Sequence, residues 1–438
     1  MVTITFLGGV GEIGGNKILI EDEGSKILLD FGLSFSERDR FYSAPWLSPR
    51  SERDLLEFGI LPKIEGAYVF DRSDPAIDGA FLSHPHLDHS RHICFLKEDI
   101  KIYCGEATAE IIKSISDITR SGFETDVSHL RFRTFRSGER ISLGPFDVVP
   151  VHVDHSIPGS YGYIVHTSGG AIAYTGDFRT HGPQPQLTDD FVKEVEASRP
   201  IVAISEGTNF GEATVSGELD VKREICEIVS RTGKIVLASF SYGDIDRLKT
   251  FYEVAELSGR VLAISLKQAY LLRRLSQDPH LKIPKLSDPS IAIFQRAKKQ
   301  YYEWERDFLN YPNIVTASDL RNIQEKVIMV CSFLDFRELI EIRPEPGSVF
   351  ILSQSEPFTE EMELDYSRLI NWLDHFGIPL YRSHCSGHIA PNELKKVIET
   401  IRPGRVLPIH TEHPNLMARF LKSAAEVTIL EKGVPHDI

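Results

Sequence analysis

Residues 81–90 read FLSHPHLDHS, which places His84, His86, Asp88 and His89 within six positions directly after a short apolar run. Imidazole and carboxylate are the donors that zinc and similar divalent ions take. Four of them on one turn after a strand outweigh the alternative of a solvated histidine-rich loop. The arrangement recurs downstream, where His155 in VHVDHSIPGS, Asp177 in AYTGDFR and His410 in VLPIHTEHP each follow an apolar, strand-like segment. Several strand ends offering ligands in this way describe a metal site shared by the strands of one sheet. His92, His152 and His166 lack that setting and read as structural or surface residues.

The elements that would position these ends begin with TITFLG, NKILIE and KILLDFG, and the stretch Asp22-Glu23-Gly24-Ser25 suits a hairpin between the last two. GGVGEIGG contains a formal GxGxxG at Gly9, Gly11 and Gly14. A dinucleotide site needs a helix straight after that motif, whereas NKILIEDEGSKILL has strand character. Residues 34–66 read as an irregular insertion with a short helix around Glu52 to Phe58. Strand signals return at GAFLS, KIYCG, FDVVPVHV, YGYIVHT and GAIAYTGD, with Ser168-Gly169-Gly170 as a further hairpin turn. From about residue 200 the rhythm becomes strand then helix, the pattern of a parallel α/β unit. The expected organisation is a first domain over 1–207, an inserted unit over 208–370, and a return to the first domain over 371–438.

A chain of 438 residues exceeds the usual size of one hydrophobic core. Its five cysteines form no CxxC pair, which argues against a thiolate zinc site or a disulfide framework and for a reducing interior. No run of eighteen apolar residues occurs, so the expectation is a soluble, cytoplasmic protein with no membrane partner. The net charge of −14 speaks against strong non-specific binding to long duplexes. A metal pair with a local basic lining can still bind a polyanion inside an otherwise acidic protein.

With the HxHxDH run, His155 and Asp177 in this order, the sequence resembles the metallo-β-lactamase superfamily. The resemblance implies an α/β fold, the αββα sandwich, with two divalent metals in its cleft. One would be held by His84, His86 and His155, the other by Asp88, His89 and His410, with Asp177 bridging them. Zinc suits so many imidazoles, and manganese is the other candidate. Two such ions can activate water and stabilise charge on phosphorus or on a carbonyl carbon. The extra unit between Asp177 and His410 therefore has to decide the substrate.

Three segments at its edges carry that decision: ISEGTN with Glu206, HCSGHIAPNEL with His384 and His388, and PIHTEHP with His410. In this order they look like the three motifs of the β-CASP nucleases, so the inserted parallel-sheet unit is identified as a β-CASP domain. GGVGEIGGN, DHSIPGS, TGDF and SGH are most similar to the ribonuclease J group and its archaeal and bacterial relatives. The resemblance implies a metal-dependent ribonuclease acting on single-stranded RNA, 5′-to-3′ exonucleolytic with endonuclease activity also open. A homodimer is a further expectation from the resemblance, one that the absence of the family's long C-terminal extension after His410 leaves open.

Glu206 suits a carboxylate that orients a metal-bound imidazole, or else a helix-cap network. His388 would protonate the leaving 3′ oxygen or hold the scissile phosphate. Ser386 and Gly387, ahead of a helix from about Asn392, are candidates to bind phosphate, as are Ser353 and Ser355 in ILSQSEPFTEE. There the relatives' small, glycine-containing stretch is replaced by Glu356-Pro357-Phe358. Arg247 in SFSYGDIDRL either reaches towards substrate or starts a solvated helix. Three rival functions remain: a single-stranded DNA nuclease of the same fold, a small-ester or lactone hydrolase, and a non-catalytic nucleic-acid scaffold.

Overall fold

The computed structural model describes residues 1–438 except 44–45, 120–121, 214–215 and 356–359. Two units divide the chain, one formed by residues 1–214 and 387–438, the other by residues 215–386.

In the first unit, strands Lys17–Asp22 and Ser25–Phe31 are apolar on both faces, and both faces are covered. Ile18, Ile20, Ile27 and Leu29 join one core, while Leu19 and Leu28 join another, as a period of two demands of a sheet between two layers. The turn between these strands is two residues, Glu23 and Gly24, at φ 47° and 87°, the left-handed pair of a type I′ hairpin.

These strands belong to a seven-stranded sheet in the order Pro435–Asp437, Thr3–Gly8, Lys17–Asp22, Ser25–Phe31, Gly79–Phe81, Lys101–Gly105, Phe132–Phe135. The first of them, near the C-terminus, carries no strand signal in the sequence, yet it pairs antiparallel with Thr3–Gly8. A six-stranded sheet runs Arg405–Pro408, Val202–Ser205, Gly170–Tyr174, Tyr161–Thr167, Phe146–His152, Ile141–Leu143. One core fills the space between the sheets, where Ile4, Phe6, Ile20 and Phe81 meet Val148, Tyr163, Ile172 and Ile204. The outer face of the first sheet packs on helix Glu106–Ile118 through Ala109 and Ile112. That of the second packs on helices Pro185–Ser198, Pro391–Ile401 and Pro414–Leu421. The result is the αββα sandwich.

The second unit is a seven-stranded sheet, parallel at every pairing, in the order Ile314–Val315, Ile291–Phe294, Val261–Ser265, Val327–Val330, Val236–Ser239, Val349–Leu352, Leu380–Arg382. Its limits differ from the expected 208–370. The end moves outward because helix Glu360–Phe376 leads into Leu380–Arg382, which pairs with Val349–Leu352. The start moves inward because Thr208 and Asn209 bond to His410 and His388 of the first unit. Among the described residues no helix is long and apolar enough to cross a membrane.

Candidate metal centre

Ligand-bearing residues follow the ends of the facing sheets. His84 lies after Gly79–Phe81, His155 after Phe146–His152, Asp177 after Gly170–Tyr174, Glu206 after Val202–Ser205, and His410 after Arg405–Pro408. Donor atoms of His84, His86, His155 and Asp177 lie within 4.8 Å of one another, as do those of Asp88, His89 and His410. Asp177 is common to both sets in space: its Oδ2 is 3.5 Å from His84 Nε2, 3.2 Å from His89 Nε2 and 3.8 Å from His410 Nε2.

Each of four rings has its outward nitrogen engaged. His155 Nδ1 donates to the Gly387 carbonyl at 2.6 Å, and His89 Nδ1 to Asp30 at 2.8 Å. Ser83 gives its own proton to Asp30, so its oxygen accepts from His84 Nδ1 at 3.0 Å. His410 Nδ1 donates to Thr208 at 2.8 Å, and Thr208 passes its proton to Glu206 at 2.6 Å. In the neutral rings the tautomer so fixed leaves the inward nitrogen with a lone pair, the form that ligates metal, whereas His89, whose carboxylates favour its charged form, would have to give up its inward proton to a cation.

These inward lone pairs test whether cations fit. His84 Nε2 and His86 Nδ1 are 3.0 Å apart, and His86 Nδ1 and His155 Nε2 are 3.2 Å apart. Nitrogens about 2.0–2.1 Å from a tetrahedral zinc sit roughly 3.3 Å from each other. Asp177 Oδ1 is buried with no hydrogen-bond partner among the described residues. Converging lone pairs and an orphaned carboxylate oxygen are the donor set of a cation site.

Electrostatics divide the cluster. Burial, reinforced by neighbouring rings, holds His84 and His155 well below the usual imidazole pKa and pushes His86 down to about 4. Burial also disfavours charge on His89, yet Asp177, Asp88 and Asp30 together hold its pKa well above the usual value. Asp177 stays well below the carboxylate range despite burial, through His410 and His89.

Asp30 lies in no ligand motif of the sequence. It sits at a bulge, because Lys17 pairs with Phe31 and Ile18 with Leu29, and its φ of 57° is left-handed. That twist turns a fully buried carboxylate onto four donors: Ser83 N–H at 2.7 Å, Ser83 Oγ at 2.7 Å, Tyr174 OH at 2.6 Å and His89. The available signal was a lone carboxylate inside KILLDF. Thr208, in ISEGTN, likewise carries no signal of its own beyond its place beside Glu206.

The glycine-rich loop has a structural task. The strand Lys17–Asp22 follows it, not a helix, and Asn16 N–H donates to the Asp88 carbonyl at 3.0 Å. Gly14, at φ 85°, lies so close that a Cβ there would come within 2.7 Å of Asp88 Cβ. Glu12 ties the loop down by accepting from Gly9 N–H at 3.2 Å and Ser36 Oγ at 2.6 Å.

Glu206 is 1% exposed and accepts from Phe178 N–H, Thr208 Oγ and His388 Nδ1, the last at 3.0 Å. His388 is partly exposed and its pKa rises to about 9, because Glu206 and Asp177 outweigh its burial. Asn209 fixes the backbone there by donating to the carbonyl of His388 at 2.8 Å.

Several candidates are placed otherwise. Ser353 is fully buried; its hydroxyl contacts the Ser383 carbonyl and receives Arg247, so no face is left for substrate phosphate. Arg247 is neither solvated nor open to ligand: it is buried and forks onto Glu218 at 2.9 and 3.0 Å. Gly387 supports His155, since a Cβ there would lie 2.9 Å from its Cε1. Ser386 is partly buried in the second unit, Ser355 is exposed, and Glu356-Pro357-Phe358 lie outside the described residues. Of the histidines read as structural, His92 is fully buried and His152 stacks on Tyr161 at 4.2 Å, while His166 is partly exposed.

Sandwich and site together define a metallo-β-lactamase-fold protein, and a family model described as a β-lactamase superfamily domain matches residues 66–223. A crystal structure of a protein of unknown function from Enterococcus faecalis superposes with a TM-score of 0.79 at 22% identity, over 99% of each chain. The sequence is 23% identical to ribonuclease J2 of Bacillus subtilis, over 99% of this chain and 74% of that one. It is 25% identical to ribonuclease J of Thermus thermophilus, over 94% and 68%, and 25% identical to ribonuclease J of Helicobacter pylori, over 99% and 59%. The chain thus has the metallo-β-lactamase fold with a β-CASP-type insertion, and it resembles ribonuclease J along nearly its whole length while spanning 59 to 74% of these relatives.

Proposed function

We propose that the chain is a metal-dependent hydrolase that cleaves phosphodiester bonds of single-stranded RNA, from the 5′ end in the manner of ribonuclease J. The observation that carries this reading is the convergence of inward imidazole nitrogens on Asp177. His84, His86 and His155 would hold one divalent cation and Asp88, His89 and His410 a second, with Asp177 shared; zinc suits this donor set and manganese is the alternative. Such a pair supplies a water nucleophilic at neutral pH and charge stabilisation on phosphorus. Around it the chain's own residues do the positioning. Asp30 and Thr208 fix the ring faces of His89 and His410. Glu206 holds His388 by its Nδ1, and the partly exposed ring can deliver a proton to the leaving oxygen. The five cysteines are free thiols, which fits a reducing cytoplasm.

The test is incubation of metal-loaded protein with 5′-labelled, 5′-monophosphorylated RNA and with DNA of the same sequence, beside Asp88→Ala. Labelled mononucleotide released from RNA before any intermediate fragment, and abolished by Asp88→Ala, is expected. Internal fragments would replace the exonuclease with an endonuclease, and undiminished cleavage by Asp88→Ala would remove the metal mechanism.

A further inference from the structure

The second unit contains a cavity of about 360 Å³ that the metal centre does not use, within the roughly 300–1,000 Å³ usual for small-ligand sites. Its position follows from topology. Val261–Ser265 and Val327–Val330 are neighbours in the sheet, yet the chain leaves them in opposite directions. After Ser265 it continues to Ile291–Phe294 on one side, and after Val330 it crosses Val236–Ser239 to reach Val349–Leu352 on the other. The crevice outside the carboxyl ends of strands at such a reversal is where open α/β sheets bind ligands. The cavity is lined by the residues that follow these strand ends, Lys267 and Gln268 on one side and Ser332 and Phe333 on the other.

Its lining combines two chemistries. Three cations, Lys267, Arg296 and Lys298, line it against two carboxylates, Glu305 and Asp335, in a chain of net charge −14. Lys298 is paired with Glu305, and Arg296 is 3.6 Å from Asp335. Asp335 is itself engaged, accepting from Ser332 N–H at 2.9 Å. Lys267 is exposed at the cavity and has no ion-pair or hydrogen-bond partner among the described residues; partial desolvation there, and then Lys298 and Arg296, lower its pKa against the opposing pull of Glu305 and Asp335. An anion would relieve that repulsion. Beside the cations stand aromatic rings, Phe240, Tyr242 and Phe333, the last 40% exposed. Inorganic phosphate would leave the rings unused, and an apolar ligand would bury the cations uncompensated.

We propose that this cavity binds a nucleoside monophosphate unit, its phosphate on Lys267 and Arg296 and its base against Phe333. The unit is either a free nucleotide or one residue of a nucleic-acid strand. The assignment stands whether or not the metal centre cleaves RNA.

Equilibrium dialysis of radiolabelled 5′-AMP against the full chain, with excess chelator to silence the metal centre, tests it. One AMP per chain is expected, with affinity at least tenfold weaker in Lys267→Ala/Arg296→Ala and with adenosine and inorganic phosphate each competing less well than AMP. A phosphorylated tetra-adenylate that competes better than AMP identifies a strand residue as the ligand; AMP competing better identifies a free nucleotide. Absence of AMP binding, or undiminished binding by a double variant with unchanged thermal unfolding, overturns the proposal. Should the double variant not fold, Phe333→Ala decides: weakened AMP binding with phosphate binding retained supports the site, and unchanged AMP binding sinks it.

Discussion

The two halves of the histidine–carboxylate cluster are held by different means. His84 and His155 lean on neutral acceptors, the Ser83 hydroxyl and the Gly387 carbonyl, and burial keeps them and His86 uncharged. Behind Asp88, His89 and His410 stand further carboxylates, Asp30 in contact with His89 and Glu206 reached through Thr208. A cation in the first half would have Asp177 alone at the cluster to balance its charge, with Asp30 reached through Ser83, whereas one in the second would also have Asp88 at the cluster and Asp30 in direct contact with His89. The comparison teaches that one side is built from three imidazoles and the shared Asp177, with outer charge only at one remove, while the other has an outer carboxylate in direct contact with a ring, which the ligand motif does not contain.

The bridge is the most damaging place to break this arrangement. Asp177→Ala should abolish turnover and metal retention in both halves, read by metal analysis and RNA cleavage. Next is Asp30→Asn, which keeps the shape but removes the charge and an acceptor from a site with four donors. Loss of such a partner costs about 10–100-fold in metal affinity or activity, and competition with a chelator should show the larger loss on the second ion, because Asp30 touches His89 directly but reaches His84 only through Ser83. Thr208→Val interrupts the link from His410 to Glu206 and should lower turnover roughly tenfold; recovery by Thr208→Ser would assign the effect to the hydroxyl. Gly387→Ala presses on His155 and should weaken only the first ion, by a smaller factor.

The smallest effect lies under the glycine loop. Lys17 is 2% exposed, and burial lowers its pKa to about 7. The unfolded chain then binds more protons than the folded one between about pH 7 and the ordinary lysine value, so stability rises with pH across that window. Lys17→Met should be more stable than the wild type at pH 7, and the gap should narrow by pH 9 in thermal melts. An equal gap at both values would contradict the lowered pKa.

Much of the site was legible because its ligands follow apolar strands. His84, Asp177 and His410 announce themselves by breaking a run of buried residues at the point where a strand must end. Asp30 escaped because it breaks its run from within: a bulge, invisible to a period of two, decides whether that carboxylate faces water or His89. Ser353 and Arg247 failed for the converse reason. A polar residue just after a parallel strand, like Ser353, or in the first turn of the helix beyond one, like Arg247, can point to a ligand or back beneath the sheet end, and here the two satisfy each other and Glu218. The terminal strand Pro435–Asp437 is too short and polar to carry a pattern, and pairing with Thr3–Gly8 alone defines it.

The central claim, two cation sites sharing one carboxylate, is tested most directly by counting metal. Purified protein reconstituted with zinc and freed of excess should hold two ions per chain, and His86→Ala and His89→Ala should each hold one. A single ion in the wild type, or two retained in either variant, would contradict it.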